Sequence, residues 1–210
     1  MNNVIKLPEN ILNHYVLLKK DIKKRLVDFK KVPESEYFYE LCFCLCTPQS
    51  KAENALQVVE ELKKRNFLSK KFNPKQILFN KKHYIRFHKT KSLRLVRAIE
   101  LYPEALKILN SKQSVMIKRE LIQKMILGFG MKESSHFMRN IGYRNFAILD
   151  RHILKHLVLC GLLDDIPKIS SINQYLEIEN IFQNFAESIN IPIDELDLLF
   201  WSYETGKILK

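Results

Sequence analysis

Apolar residues recur at three- and four-residue spacing through most of this chain, strand-like alternation is rare, and only 5 of 210 residues are glycine. That pattern predicts an almost wholly helical protein. Over residues 11–29, Leu18, Ile22, Leu26 and Phe29 fall along one face of an amphipathic helix, which Pro33 ends. The next segment, "EYFYELCFCLC", is apolar nearly all round, as a central buried helix is, and it stops at Thr47-Pro48. "SKAE" at 50–53 has the form of a capping box, with the Ser50 hydroxyl and the Glu53 carboxylate satisfying the first amides of "ALQVVEELKKR". Gln49 is left in a tight interhelical loop.

Further helices are predicted over 74–79, 89–101, 103–109, 114–126, 131–141, 151–160, 172–189 and 193–203, with no repeat or low-complexity linker between them. We expect an all-α fold of two helical subdomains. One is a central bundle of residues 34–142; the other joins residues 1–33 to 143–210.

The charge changes the picture. Lys and Arg number 35 against 23 Asp and Glu, a formal net charge of +12. An excess of that size on a small protein points to a polyanionic partner, nucleic acid first, although a solvated lysine-rich surface would give the same count. The basic side lies early: "KKHYIRFHKTKSLRLVR" at 81–97 contains no acid, whereas most of the chain after Asp164 is acidic. Lys81, Lys82, Arg86, Lys89 and Lys91 are candidates for phosphate contacts. No run approaches the roughly twenty apolar residues of a membrane span, so a cytoplasmic protein is expected.

Cys42, Cys44, Cys46 and Cys160 stand in apolar surroundings. At about 100° per helical residue, Cys42 and Cys44 point apart, so buried reduced thiols are expected rather than metal ligands. His152 and His156 in "HILKH" share a helix face, but no third ligand is apparent and no metal is expected. His136, one turn beyond Lys132, suits either the core or a site.

The chemistry concentrates in "MILGFGMKESSHF" at 125–137, whose form is helix, apolar-Gly-apolar-Gly, helix. Gly128 and Gly130 can take positive φ, and without side chains they let a phosphate approach the backbone. The amides from Gly130 and Met131 onward then point at that phosphate, and the helix dipole adds to the attraction. Such a hairpin grips a nucleic acid backbone without reading its sequence.

Lys132 follows in the first turn of the next helix, where the positive dipole end disfavours an ammonium and favours a neutral, nucleophilic amine. A simple salt bridge to phosphate is the plainer role. Asp150 opens the helix "RHILKHLVLCG", so N-capping is its plainest role. The helix over 131–141 carries the chain roughly 15 Å away, and "GYRNFAIL" can span up to about 26 Å, which permits Asp150 to face Lys132 without requiring it. A capped carboxylate is ionised and rigid, as a group that orients an amine and balances charge at a sugar C1′ needs to be.

The run "GFGMKESSHFMRNIGYRNFAILDRHIL", with "ELCFCLCT", "YLEIENI" and "ELDLLFWSYETGKILK", resembles the compact archaeal-type 8-oxoguanine DNA glycosylase/lyase of the helix-hairpin-helix, endonuclease-III-like superfamily. The resemblance implies two helical subdomains with a DNA cleft between them. Lys132 then matches the catalytic lysine that displaces the damaged base, forms a Schiff base and supports β-elimination, and Asp150 matches the catalytic aspartate. Gly128, Gly130 and Met131 are the implied phosphate contacts.

Phe87 in "IRFHKT" and Trp201 in "LFWSYET" match aromatic positions lining the lesion pocket, although core packing would also suit Trp201. Lys210 matches the C-terminal lysine that helps separate 8-oxoguanine from guanine. Gln49 lies where relatives place a residue near the base opposite the lesion. The expected partner is double-stranded DNA containing 8-oxoguanine, met by a monomer without external cofactor. Cys160 is the only cysteine beyond Cys46, so the four-cysteine iron-sulfur cluster of many endonuclease-III relatives is not expected.

Two rivals share parts of this reading. An oxidised-pyrimidine glycosylase would keep Lys132 and Asp150 but not the purine pocket. A non-catalytic helix-hairpin-helix module would explain the charge and hairpin alone.

Overall fold

The computed structural model describes residues 5–209, and among them every regular element is helical. In chain order these are α1 (Glu9–Lys30), α2 (Glu34–Cys46), α3 (Ala52–Lys64), α4 (Phe67–Lys70), α5 (Lys75–Leu78), α6 (His88–Asn110), α7 (Val115–Met125), α8 (Met131–Asn140), α9 (Arg151–Leu159), α10 (Ile172–Ser188) and α11 (Ile193–Thr205). They fall into two compact units, Val32–Ile141 and Met1–Lys31 with Gly142–Lys210. Among the described residues no helix is long and apolar enough to cross a membrane.

The Val32–Ile141 unit is built around α2. Phe38 and every residue from Leu41 to Cys46 are buried, which is what an element apolar on all sides requires, and α3, α6 and α8 pack against it. The four cysteines are buried and form no disulfide, and burial pushes the Cys46 and Cys160 thiols up to about 12. Two expectations fail here. The helices predicted at 89–101 and 103–109 are one element, because α6 runs through Pro103. Pro103 forfeits one intrahelical bond, but Ala98, Ile99, Tyr102, Ala105 and Leu109 are all buried, and that packing holds the helix continuous. The capping box at Ser50 is also absent: Lys51 occupies the N-cap of α3 with no side-chain cap bond.

In the other unit α11 packs on α1, α9 and α10. Ile22, Leu26 and Phe29 of the predicted face of α1 are buried with Ile11 and Tyr15, while Leu18 sits at its half-buried rim. The Gly142–Lys210 part of this unit begins at Gly142, with φ +97°, where a Cβ would lie 2.9 Å from the Lys30 Cα, so both the turn and the close approach demand glycine.

Candidate functional site

The glycine hairpin joins α7 to α8, and the two helices pack together. Gly128 takes the expected positive φ, +94°, but Gly130 does not: its φ is −102° and its backbone is extended. Only Gly128 therefore needs glycine for its backbone. At Gly130 the constraint is space, since a Cβ would come 3.1 Å from Glu133 Oε2. Arg94 of α6 lies over the hairpin, so that a Cβ on Gly128 would meet its Cδ at 2.6 Å.

Two hairpin amides are already engaged. Phe129 N–H donates to Ile126 O at 3.0 Å, and Gly130 N–H donates to Glu133 Oε2 at 3.1 Å. The next three N–H groups, of Met131, Lys132 and Glu133, open α8 and have no intrahelical acceptor. These are the amides a phosphate can meet. Lys132 is half-buried in the same turn, with its Nζ 3.1 Å from Glu133 Oε1. Met131 and Lys132 thus stand together at the end of the hairpin, and Glu133, which the sequence reading passed over, touches both Lys132 and Gly130. Its signal was its place, the third residue of a helix, where acids cap amides.

Lys91 is a correction. It was a candidate phosphate contact in the basic run, yet it is 3% exposed, while Lys81, Lys82, Arg86 and Lys89 are exposed. Its Nζ donates to Cys46 O at 2.7 Å, Pro48 O at 2.6 Å and Ser50 Oγ at 3.3 Å. The cation thereby closes the C-terminal end of α2 and fixes the loop that carries Gln49. Burial is the main reason its amine is lowered from 10.5 to about 8. Ser50 Oγ also accepts from Arg86 N–H at 3.0 Å, and Asn54 Nδ2 of α3 donates to Tyr84 O at 3.0 Å, stitching Ser50 and the start of α3 to residues 84–86. The Ser50 hydroxyl is thus turned to Arg86 and Lys91 rather than to the amides of α3.

Gln49 is exposed with φ +56°, and Phe87, the N-cap of α6, is half-exposed with φ +59°. Non-glycine residues seldom adopt that conformation, and such strain clusters at ligand-contacting loops. Arg86 lies over the Phe87 ring, its Cζ 5.1 Å from the centroid.

In the Met1–Lys31 with Gly142–Lys210 unit, Asp150 caps α9: its Oδ1 accepts from His152 N–H at 2.8 Å and Ile153 N–H at 2.9 Å. The approach over 143–149 is not helical, so its amides need other acceptors. Buried side chains of α10 and α11 supply them. Asn145 N–H donates to Asp194 Oδ2 at 3.1 Å, Ala147 N–H to Glu179 Oε1 at 2.9 Å and Ile148 N–H to Asp197 Oδ2 at 3.1 Å. The Tyr175 hydroxyl accepts from Leu149 N–H at 3.2 Å and donates to Ala147 O at 2.7 Å, and Arg144 donates to Leu26 O. The acidic C-terminal third is therefore partly an internal scaffold holding the segment that ends at Asp150.

Trp201 is half-buried on α11. Lys210 lies outside the described residues. His136 packs edge-on against Phe43, its ring centroid 5.6 Å away. His156 is fully buried and stacked on Phe200, and both His156 and His152 approach Glu204. Among the described residues no group of three or more His, Cys, Asp or Glu could hold a metal ion.

Residues 22–191 match the family model of 8-oxoguanine DNA glycosylase, Ogg-HhH. An 8-oxoguanine DNA glycosylase/AP lyase of Fusobacterium nucleatum is 39% identical over 220 residues, spanning 100% of this chain and 97% of that protein. The crystal structure of the Methanocaldococcus jannaschii 8-oxoguanine DNA glycosylase superposes with a TM-score of 0.83 at 35% identity, covering 95% of each chain. The crystal structure of the same organism's 8-oxoguanine glycosylase/lyase with 15mer DNA containing 8-oxoguanine gives a TM-score of 0.81 at 33% identity, over 95% of this chain and 99% of that one. On the match over most of its length, with the glycine hairpin opening α8, the chain belongs to the 8-oxoguanine DNA glycosylase family of helix-hairpin-helix proteins.

Proposed function

We propose that this protein is a bifunctional DNA repair enzyme that excises 8-oxoguanine from double-stranded DNA and then cuts the strand at the resulting abasic sugar. Lys132 Nζ attacks C1′ as the C1′–N bond to the base breaks and the base leaves with a proton; the C1′–O4′ bond then opens to give a Schiff base, from which loss of a C2′ proton expels the 3′ phosphate by β-elimination. Asp150 is the carboxylate that orients the amine and balances charge developing at C1′. The backbone of Gly128, Gly130 and Met131, in the hairpin and the opening of α8, holds the strand, the Met131 N–H meeting a phosphate where the glycines let it come close. The residues of 34–142 carry the hairpin and nucleophile, and 1–33 with 143–210 carry Asp150; the compact units of the fold support that division of labour.

The reacting carbon of a stacked nucleotide is inaccessible, so the lesion is extruded, and Phe87, Trp201 and the terminal Lys210 receive it while Gln49 meets the orphaned partner base. This chemistry draws on the protein's own amine and no external cofactor. The protein acts as a monomer in the cytoplasm, on the nucleoid.

The observation that carries this reading is the Lys132 amine in the first turn after the glycine hairpin, in a chain similar along its whole length to named 8-oxoguanine DNA glycosylase/AP lyases. Base release from duplexes bearing 8-oxoguanine or thymine glycol tests it. Release of 8-oxoguanine, lost by about a hundredfold or more in Lys132→Gln, is expected. Release of thymine glycol alone favours the oxidised-pyrimidine reading; DNA binding without release of either favours a non-catalytic module.

A further inference from the structure

We propose that Glu133 is the positioning residue of the reaction: its carboxylate bridges the Lys132 amine to the hairpin, fixing where the nucleophile stands. The inference rests on Lys132 being the nucleophile. Each carboxylate oxygen has its own partner, Oε1 the Lys132 Nζ at 3.1 Å and Oε2 the Gly130 N–H at 3.1 Å. The side chain is 15% exposed, so neither contact is a loose surface pair. A lysine has four rotatable side-chain bonds, and a nucleophile misplaced by an ångström loses much of its rate. The bridge ties the amine to the backbone element that grips the strand.

The same contact places a negative charge beside the nucleophile. Lys132 shares its surroundings with cations: the Lys91 amine is lowered not only by burial but by Arg94 and Lys132, and raised by Glu133. Lys91 thus senses the Cys46 thiol as well as Arg94, Lys132 and Glu133. Of the charged groups on helices packed against α8, Glu40 of α2 meets Asn140 at its far end and Arg119 of α7 meets Ser135. The Glu133 carboxylate lies 3.1 Å from the Lys132 amine, so a neutral replacement removes a negative charge in direct contact with the nucleophile.

The test is borohydride trapping under single turnover, from pH 5 to 9, on a duplex containing an abasic site, which bypasses the base pocket. Wild type is compared with Glu133→Gln, which keeps an oxygen for Gly130 N–H but no charge, and Glu133→Asp, which keeps the charge but is too short to reach both partners. In Glu133→Gln the acid limb of the trapping profile moves to lower pH by about half a unit or more, and the plateau falls roughly tenfold. In Glu133→Asp the plateau falls while the limb stays near wild type. Unchanged profiles in both variants would overturn the proposal, as would a plateau loss in Glu133→Gln without movement of the limb, which is the mark of a merely structural cap. If wild type forms no adduct at Lys132, the nucleophile assignment itself fails and takes this inference with it.

Discussion

Asp197 Oδ2 accepts the backbone N–H of Ile148 at 3.1 Å, and both residues are buried. With Glu179, Asp194 and Tyr175, Asp197 replaces the helical hydrogen bonds that the segment before Asp150 lacks. Removing it leaves a buried amide without its acceptor, at a penalty of about 1–3 kcal/mol. Asp197→Ala is expected to lower unfolding free energy by that amount in urea, and to reduce base release more than a change of equal stability elsewhere, because the slackened segment positions Asp150.

Lys91 should leave a pH signature. Its amine is lowered to about 8 in the folded protein, against 10.5 in the unfolded chain. Between those values the unfolded state binds more protons, so stability contributed by this group rises as pH rises through the window. Urea unfolding at pH 8 and 10 should show a gain in wild type, roughly 2 kcal/mol from this residue, that is missing in Lys91→Met. An identical pH increment in the variant would mean that Lys91 titrates normally.

His156 and Glu204 act at the acid end. Burial, above all, lowers the His156 imidazole from 6.5, so the folded state resists its protonation and stability falls as pH drops below that value. The hydrogen bond from Lys155 is the largest reason Glu204 lies below its usual 4.5, so its contribution is present above that pH and lost beneath it. His156→Phe, which keeps the stack on Phe200, is expected to reduce the drop in Tm between pH 7 and pH 5. A larger drop would contradict the neutral, buried assignment.

The two hairpin glycines should respond differently. Gly128→Ala must place a side chain at φ +94° against Arg94, costing about 1–2 kcal/mol and weakening DNA binding in fluorescence anisotropy. Gly130→Ala has an ordinary φ and only the Glu133 carboxylate to displace. Equal effects on binding would show that backbone conformation at Gly128 is not what shapes the grip.

Much of this was legible in the chain. The three-and-four periodicity of Ile22, Leu26 and Phe29, the uniformly apolar "ELCFCLC" and the Gly-x-Gly ahead of Lys132 each record a local constraint, and local constraints survive in sequence. Asp150 as a helix cap was legible for the same reason, because a cap is a matter of neighbours. Lys91 was not: nothing in a basic run says which lysine turns inward, and its acceptors are two carbonyls and a hydroxyl 41 or more positions away. Nor were Asp194 and Asp197 legible as acceptors, since their purpose exists only where α11 meets the non-helical segment. Pro103 misled because a breaker acts locally, whereas the burial of Tyr102, Ala105 and Leu109 that overrides it is tertiary.

The most direct measurement is borohydride reduction during incubation with an 8-oxoguanine duplex, followed by peptide mass mapping of the trapped adduct. A single covalent attachment of the deoxyribose at Lys132, absent from Lys132→Gln, is the expected result. Attachment at another lysine, at the N-terminal amine, or nowhere would contradict the account.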